Sequence, residues 1–255
     1  MAAQKIYLTM NRAMNSNHKQ YKALLIDLDG TLLDIDLDSF MFDYVDALSQ
    51  RFAGYLDRDD FVRHLFASTR VTVENTDPSM KNEVVFYEEF CRRIGYSHDQ
   101  IRPLIDDFYR REFARLSCWG REHPYSGAVI AAAKRKNLAL ILATNPIFPA
   151  AATLQRLAWA GLSANDFQLI TTMENMHFCK PKKEYYLEIA DRIGFNPHQC
   201  LMAGNDTLED LIASETGMET FLVEDFILQR GNAEPSCNYR GNLSELAAFV
   251  EELKQ

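Results

Sequence analysis

Three short apolar runs do most to limit what this chain can fold into: residues 23–26, 138–143 and 200–203. None alternates with polar residues, so each reads as a strand buried on both faces of a parallel sheet. Each ends abruptly, in Asp27-Leu28-Asp29-Gly30, Thr144-Asn145-Pro146 and Gly204-Asn205-Asp206. Helices are expected at 126–136, 148–160, 182–193 and 207–216. Pro124 and Gly127 open the first, and Gly161, Gly194 and Gly217 close the others. This alternation predicts a doubly wound, Rossmann-like α/β fold, with its chemistry at the carboxyl ends of the strands. The polar clusters fall there.

Residues 36–122 break the alternation. Helical spacing recurs at 37–52, 58–69, 80–94 and 98–116, as in Ile101, Leu104, Ile105 and Phe108, with no comparable strand-like run between. A block this long that returns to the same sheet reads as an inserted all-α cap, 36–122, over a core of 1–35 and 123–255. A chain of 255 residues suits one large α/β core carrying such an insertion.

Composition removes whole classes. Hydrophobic residues make up 47% and charged residues 25%, which excludes wholesale disorder, collagen and coiled coil. The formal charge of −9 argues against a nucleic-acid partner. No run approaches the ~18–20 apolar residues of a membrane span, and the first residues do not resemble a secretory signal. Residues 9–20 read as a flexible polar leader. The cysteines (Cys91, Cys118, Cys179, Cys200, Cys237) are odd in number and form no CxxC pair. They read as small core residues in a reducing cytoplasm rather than as a disulfide framework or zinc site.

Asp27-Leu28-Asp29-Gly30-Thr31 carries the strongest chemical signal. Carboxylates two residues apart at a strand end point roughly the same way, and the glycine lets the chain turn sharply. One acid can serve as nucleophile while the other transfers protons. A chance D-x-D-G-T in this length is an event on the order of one in a few hundred.

With this motif the chain resembles the haloacid dehalogenase-like (HAD) hydrolase superfamily, and three further motifs follow in order. Thr144, after the second apolar run, is similar to the Thr or Ser that binds a phosphoryl oxygen. Lys180-Pro181 resembles the lysine motif, and Gly204-Asn205-Asp206-Thr207-Leu208-Glu209-Asp210 the acidic metal-binding motif. The likeness covers the chain from about Tyr21, and within the superfamily it is nearest in form to the phosphoglycolate phosphatase group.

The resemblance implies a Mg²⁺-dependent phosphatase that hydrolyses a small phosphorylated metabolite through an aspartyl-phosphate. Asp27 would attack phosphorus, Asp29 would protonate the leaving group, and Lys180 would offset charge. Thr144 and Lys180 would bind phosphate. Asn145 would either join them or shape the turn before Pro146. Mg²⁺ would lie on Asp27, the main-chain carbonyl of Asp29 and a fourth-motif acid. Many relatives have Asp directly after the glycine, where this chain has Asn205. Asp206 is taken as the direct ligand and Asp210, four residues on, as its support through water, with Asn205 the alternative.

Clustered carboxylates repel one another without a cation, so the residues themselves argue for a metal. A phosphosugar mutase or another phosphotransferase is the alternative, since mutases share both first-motif acids. A non-enzymatic binding module on the same fold would not need the full set of acids, Thr and Lys. Asp34, Asp36 and Asp38 read as hinge and capping residues, Lys182 and Lys183 as solvated, His177 as a loop residue, and Lys134-Arg135-Lys136 as a helix end. Arg63, His64, Arg70 and Tyr109 are the cap residues considered for reading the leaving group.

Overall fold

The computed structural model describes residues 20–232 and 234–254, so the polar leader lies outside the described residues apart from Gln20. Strand β1 (Ala23–Ile26) leads through the first polar cluster into β2 (Leu33–Ile35), which pairs antiparallel with β3 (Gly120–Glu122). Between these two short strands lie α1 (Leu37–Arg51), α2 (Arg58–Glu74), α3 (Asn82–Ile94), α4 (His98–Arg111) and a 3₁₀ segment, Phe113–Trp119. The rest is α/β alternation: α5 (Ser126–Arg135), β4 (Ala139–Leu142), α6 (Ala150–Trp159), β5 (Leu169–Ile170), α7 (Lys183–Ile193), β6 (Cys200–Gly204), β7 (Glu219–Val223), β8 (Tyr239–Gly241) and α8 (Leu243–Glu252). The expected doubly wound parallel sheet with a helical cap is therefore present.

The six core strands run parallel in the order β5-β4-β1-β6-β7-β8. Register aligns Ile26 with Leu142 on one side and with Ala203 on the other. The three polar clusters therefore emerge side by side at one edge of the sheet. Strand β1 is buried on both faces: Leu24 and Ile26 pack toward α5 and α8, Ala23 and Leu25 toward α7. Among the described residues no helix is long and apolar enough to cross a membrane. No described cysteine is in a disulfide; Cys179 and Cys200 are buried and Cys118 is exposed.

Several local expectations change. The segment expected as a helix at 207–216 is a turn followed by a 3₁₀ helix, Leu211–Thr216. The Asp206 carboxylate accepts the N–H groups of Leu208 and Glu209, and such side-chain bonds compete with a regular α-helix. Helix α2 runs past its expected end at 69. Its β-branched last turns are tied by Thr69 and Thr72 hydroxyls that donate to Leu65 and Ser68 carbonyls. The expected 98–116 helix splits into α4 and the 3₁₀ segment. Strands β5, β7 and β8 and helix α8 lie where no element was read.

The cap is tied to the core at two ends. At one end is the β2–β3 ladder, where Asp34 and Arg121 form an ion pair at 2.9 Å and Asp36 caps α1 through Ser39. At the other, the start of α3 docks on the chain after β5. The Asn82 and Glu83 amides donate to the Met176 and Met173 carbonyls, both at 2.8 Å, and Asn82 Nδ2 donates to Phe178 O at 3.3 Å. Lys182, expected in solvent, instead donates to the Val73 carbonyl near the end of α2. Between the two ends, Phe40, Tyr44 and Phe113 of the cap pack with Phe148 and Trp159 of the core in one aromatic cluster.

Candidate active site

Asp27, immediately beyond β1, is 8% exposed, and the Lys180 side chain reaches it from the loop before α7. Lys180 Nζ, itself 1% exposed, donates to Asp27 Oδ1 at 2.8 Å and to Asp210 Oδ1 at 2.6 Å. Burial opposes charge on this ammonium, but Asp210 and Asp27 outweigh it and hold the lysine proton well above its ordinary range. For Asp27, burial dominates. Lys180 pulls the carboxyl down while Asp210 and Asp29 push it up, and the result is about 8.

Glycine sets two close approaches. Gly30 has φ +76°, and a Cβ there would strike the Asn205 amide. Asn205 Oδ1 accepts the Thr31 hydroxyl at 3.2 Å, and its Nδ2 donates to Phe226 O at 2.7 Å. The Gly30-Thr31 pair thus seats the fourth-motif loop against the first. A Cβ on Gly204 would meet the Asp210 carboxylate, so that glycine lets Asp210 come in over the sheet. Asp210 Oδ2 in turn accepts the Asp206 amide at 2.9 Å.

Of the residues singled out from sequence, Asp27, Lys180 and Asp210 meet directly. Thr144 is buried at the end of β4, its carbonyl held by Thr171 and Tyr185 hydroxyls at 2.7 and 3.0 Å. Asn145 does not aim its amide at open space: Nδ2 donates to Glu209 Oε2 at 3.1 Å, while Oδ1 is buried without a partner. Asp206 is engaged away from Asp27. One oxygen caps the following turn, and the other accepts Arg230 Nε at 3.0 Å. Asp29 pairs through Oδ2 with Arg156 Nη1, and its Oδ1 is buried without a partner.

Among the cap residues considered, Arg63 and Arg70 lie on the surface beside Asp60 and Glu74. Tyr109 is buried, with its hydroxyl 2.8 Å from that of Tyr44. Both tyrosines line an aromatic cavity of about 40 Å³ that reaches Pro149 and Met173 of the core.

Sequence reading missed Arg156, Glu209, Tyr185 and Tyr186. Arg156 falls on the buried stripe of α6 with Ala152, Thr153 and Leu157, and a cation on such a stripe is the signal that could have marked it. Glu209 lies between the two acids that were weighed, and burial raises its pKa. The two tyrosines of α7 look like ordinary core aromatics. Yet Tyr185 holds the Thr144 carbonyl, and Tyr186 donates to the Glu209 carbonyl at 2.7 Å.

The acids outnumber their local cations. Asp29 has Arg156 and Asp206 has Arg230, so Lys180 faces Asp27, Asp210 and nearby Glu209. This surplus of buried oxygen donors fits a hard cation. Among the described residues no group of three or more His, Cys, Asp or Glu is placed to hold a metal ion by itself.

The family model for haloacid dehalogenase-like hydrolases matches residues 21–215. Comparison with curated proteins gives no match. Solved structures with the same fold include a protein described as a predicted phosphoglycolate phosphatase from Haemophilus somnus 129pt, with 16% identity and TM-score 0.58, covering 91% of this chain and 99% of that one. The HAD-hydrolase YfnB from Bacillus subtilis, bound to magnesium, has 22% identity and TM-score 0.55 over 91% and 99% of the two chains. An L-2-haloacid dehalogenase from Xanthobacter autotrophicus, with chloropropionic acid covalently bound, has 13% identity and TM-score 0.55 over 92% and 100%.

Proposed function

The chain belongs to the haloacid dehalogenase-like hydrolase family, and from that premise we propose that it is a Mg²⁺-dependent phosphatase acting on a small phosphomonoester. The observation that carries this reading is the pair of first-motif acids held apart by different cations, Asp27 on Lys180 and Asp29 on Arg156. Dehalogenation expels a halide, which needs no proton, so a second acid would be idle there. An alkoxide leaving group needs one.

In this reading the Asp27 carboxylate attacks phosphorus, the bond to the leaving oxygen breaks, and Asp29 gives that oxygen its proton. Asp29 then takes a proton from water, whose oxygen attacks the aspartyl-phosphate and returns free Asp27 and inorganic phosphate. Lys180 holds Asp27 in place and offsets the charge gathered there, while Thr144 binds a phosphoryl oxygen. Asp27, Asp210 and the main-chain carbonyl of Asp29 would hold the Mg²⁺, which supplies positive charge to the phosphoryl oxygens. Asp210 is taken as the direct ligand in place of Asp206 because it shares Lys180 Nζ with Asp27, whereas Asp206 pairs with Arg230. The block 36–122 serves as the cap, and its aromatic lining faces the leaving group. Five unpaired cysteines suit a reducing cytoplasm.

Purified protein with Mg²⁺ should release phosphate from 4-nitrophenyl phosphate and from members of a panel of phosphorylated metabolites. Asp27→Asn should abolish this while keeping the fold. Chloride release from 2-chloropropionate without any phosphatase activity would overturn the reading.

A further inference from the structure

We propose that Arg156 is the positioning residue for Asp29: it clamps Oδ2 and leaves Oδ1 as the oxygen that exchanges a proton with the leaving group. The inference rests on the phosphatase reading above, and it assigns a role to a residue no motif contains.

Arg156 reaches Asp29 from the second turn of α6, on a side chain 1% exposed. Its guanidinium carbon lies 4.4 Å from the centroid of the Phe148 ring, and Phe148 is itself wedged against Tyr44 and Phe40. A planar cation stacked in this way cannot swing aside without disturbing the aromatic cluster, so it fixes the carboxylate it holds. Asp29 follows a strand end and precedes Gly30, and a carboxylate on so short a side chain would otherwise be free to rotate about χ1.

The atoms left over point to use rather than to packing. Asp29 Oδ1 and Arg156 Nε and Nη2 are all buried without a hydrogen-bond partner. Leaving such atoms unpaired destabilises the fold, and a pair present only for folding would be expected to satisfy them. Asp29 lies close enough to Asp27 for its charge to act on that carboxyl, so these unpaired atoms adjoin the candidate site.

The test measures kcat/KM with Mg²⁺ for 4-nitrophenyl phosphate, whose leaving group needs little protonation, and for phenyl phosphate, whose leaving group needs more. Wild type is compared with Asp29→Asn, Arg156→Gln, Arg156→Lys and the double variant Asp29→Asn/Arg156→Gln. Asp29→Asn should lose at least about tenfold more activity on phenyl phosphate than on the nitrophenyl ester. Arg156→Gln should reproduce much of that selective loss, and Arg156→Lys, which keeps the charge, should recover part of it. The double variant should be no worse than Asp29→Asn alone. Equal losses on both esters in a folded Arg156→Lys protein, or additive losses in the double variant, would overturn the proposal. If Asp29→Asn itself shows no selectivity between the esters, the acid role of Asp29 fails and the proposal falls with it.

Discussion

Lys180 bridges Asp27 and Asp210, and its ammonium pulls the Asp27 carboxyl down against burial. Removing a single partner from a buried ion pair leaves an uncompensated charge, at a cost of about 3–5 kcal/mol. Lys180→Met should therefore lower metal-free stability by about that amount, read from urea unfolding, as well as abolish turnover. A variant as stable as wild type would show that Asp27 and Asp210 do not need the ammonium.

The Asp27 proton gives a second test. Its folded pKa of about 8 lies above the ordinary 3.8, so the folded state binds the proton more tightly than the unfolded chain does. This contribution is fully present below 3.8 and is lost as pH rises through about 8. A cation at Asp27 must displace the proton at low pH but not at high pH. Added Mg²⁺ should consequently raise the melting temperature more at about pH 9 than at about pH 6. Equal shifts at both would remove Asp27 from the cation site.

At the scale of single elements, the fourth-motif loop shows how far sequence reaches. Its acids were legible as a cluster, but the cations they pair with were not, because those lie far along the chain. Arg230, which pairs with Asp206, lies beyond β7, and Gly204 governs Asp210 through an approach that spacing cannot show. The strands around β1 were readable because apolar runs buried on both faces leave little ambiguity. Strands β5 and β8 are too short, at two and three residues, to leave a pattern. Arg156 left only a cation on an apolar stripe as its signal, because its partner is set by what α6 packs against.

The reassigned loop makes its own prediction. Asp210→Asn should raise the Mg²⁺ concentration needed for half-maximal activity well above wild type. Asp206→Ala should mainly cost about 1 kcal/mol of stability through its lost cap. If Asp206→Ala has the larger Mg²⁺ effect, the metal role returns to Asp206.

Across the whole molecule, the aromatic cluster makes cap and core one body. Phe148 touches Phe40 and Tyr44 above it and Arg156 beside it. Phe148→Ala should cost about 3–5 kcal/mol and split one unfolding transition into two, as seen by calorimetry. A single unsplit transition with a small loss would show that the cap docks by other contacts. Opening the cap must break the bonds from Asn82 and Glu83 to the Met176 and Met173 carbonyls. Hydrogen exchange at those amides should slow when a phosphate analogue binds, and an unchanged rate would mean that the latch does not report on the site.

The β2–β3 ladder sets the ends of the helical block beside each other, Leu33 opposite Glu122. To the sheet, everything between those strands is a single excursion that leaves and returns at one point. Lengthening such a loop costs entropy only logarithmically, so the sheet is nearly indifferent to the size of what it carries. A different insertion could therefore occupy that point without rebuilding the sheet beneath. What constrains the exchange is cover: any replacement must shield Phe148, Trp159 and Met173, and must leave Arg156 beside Asp29.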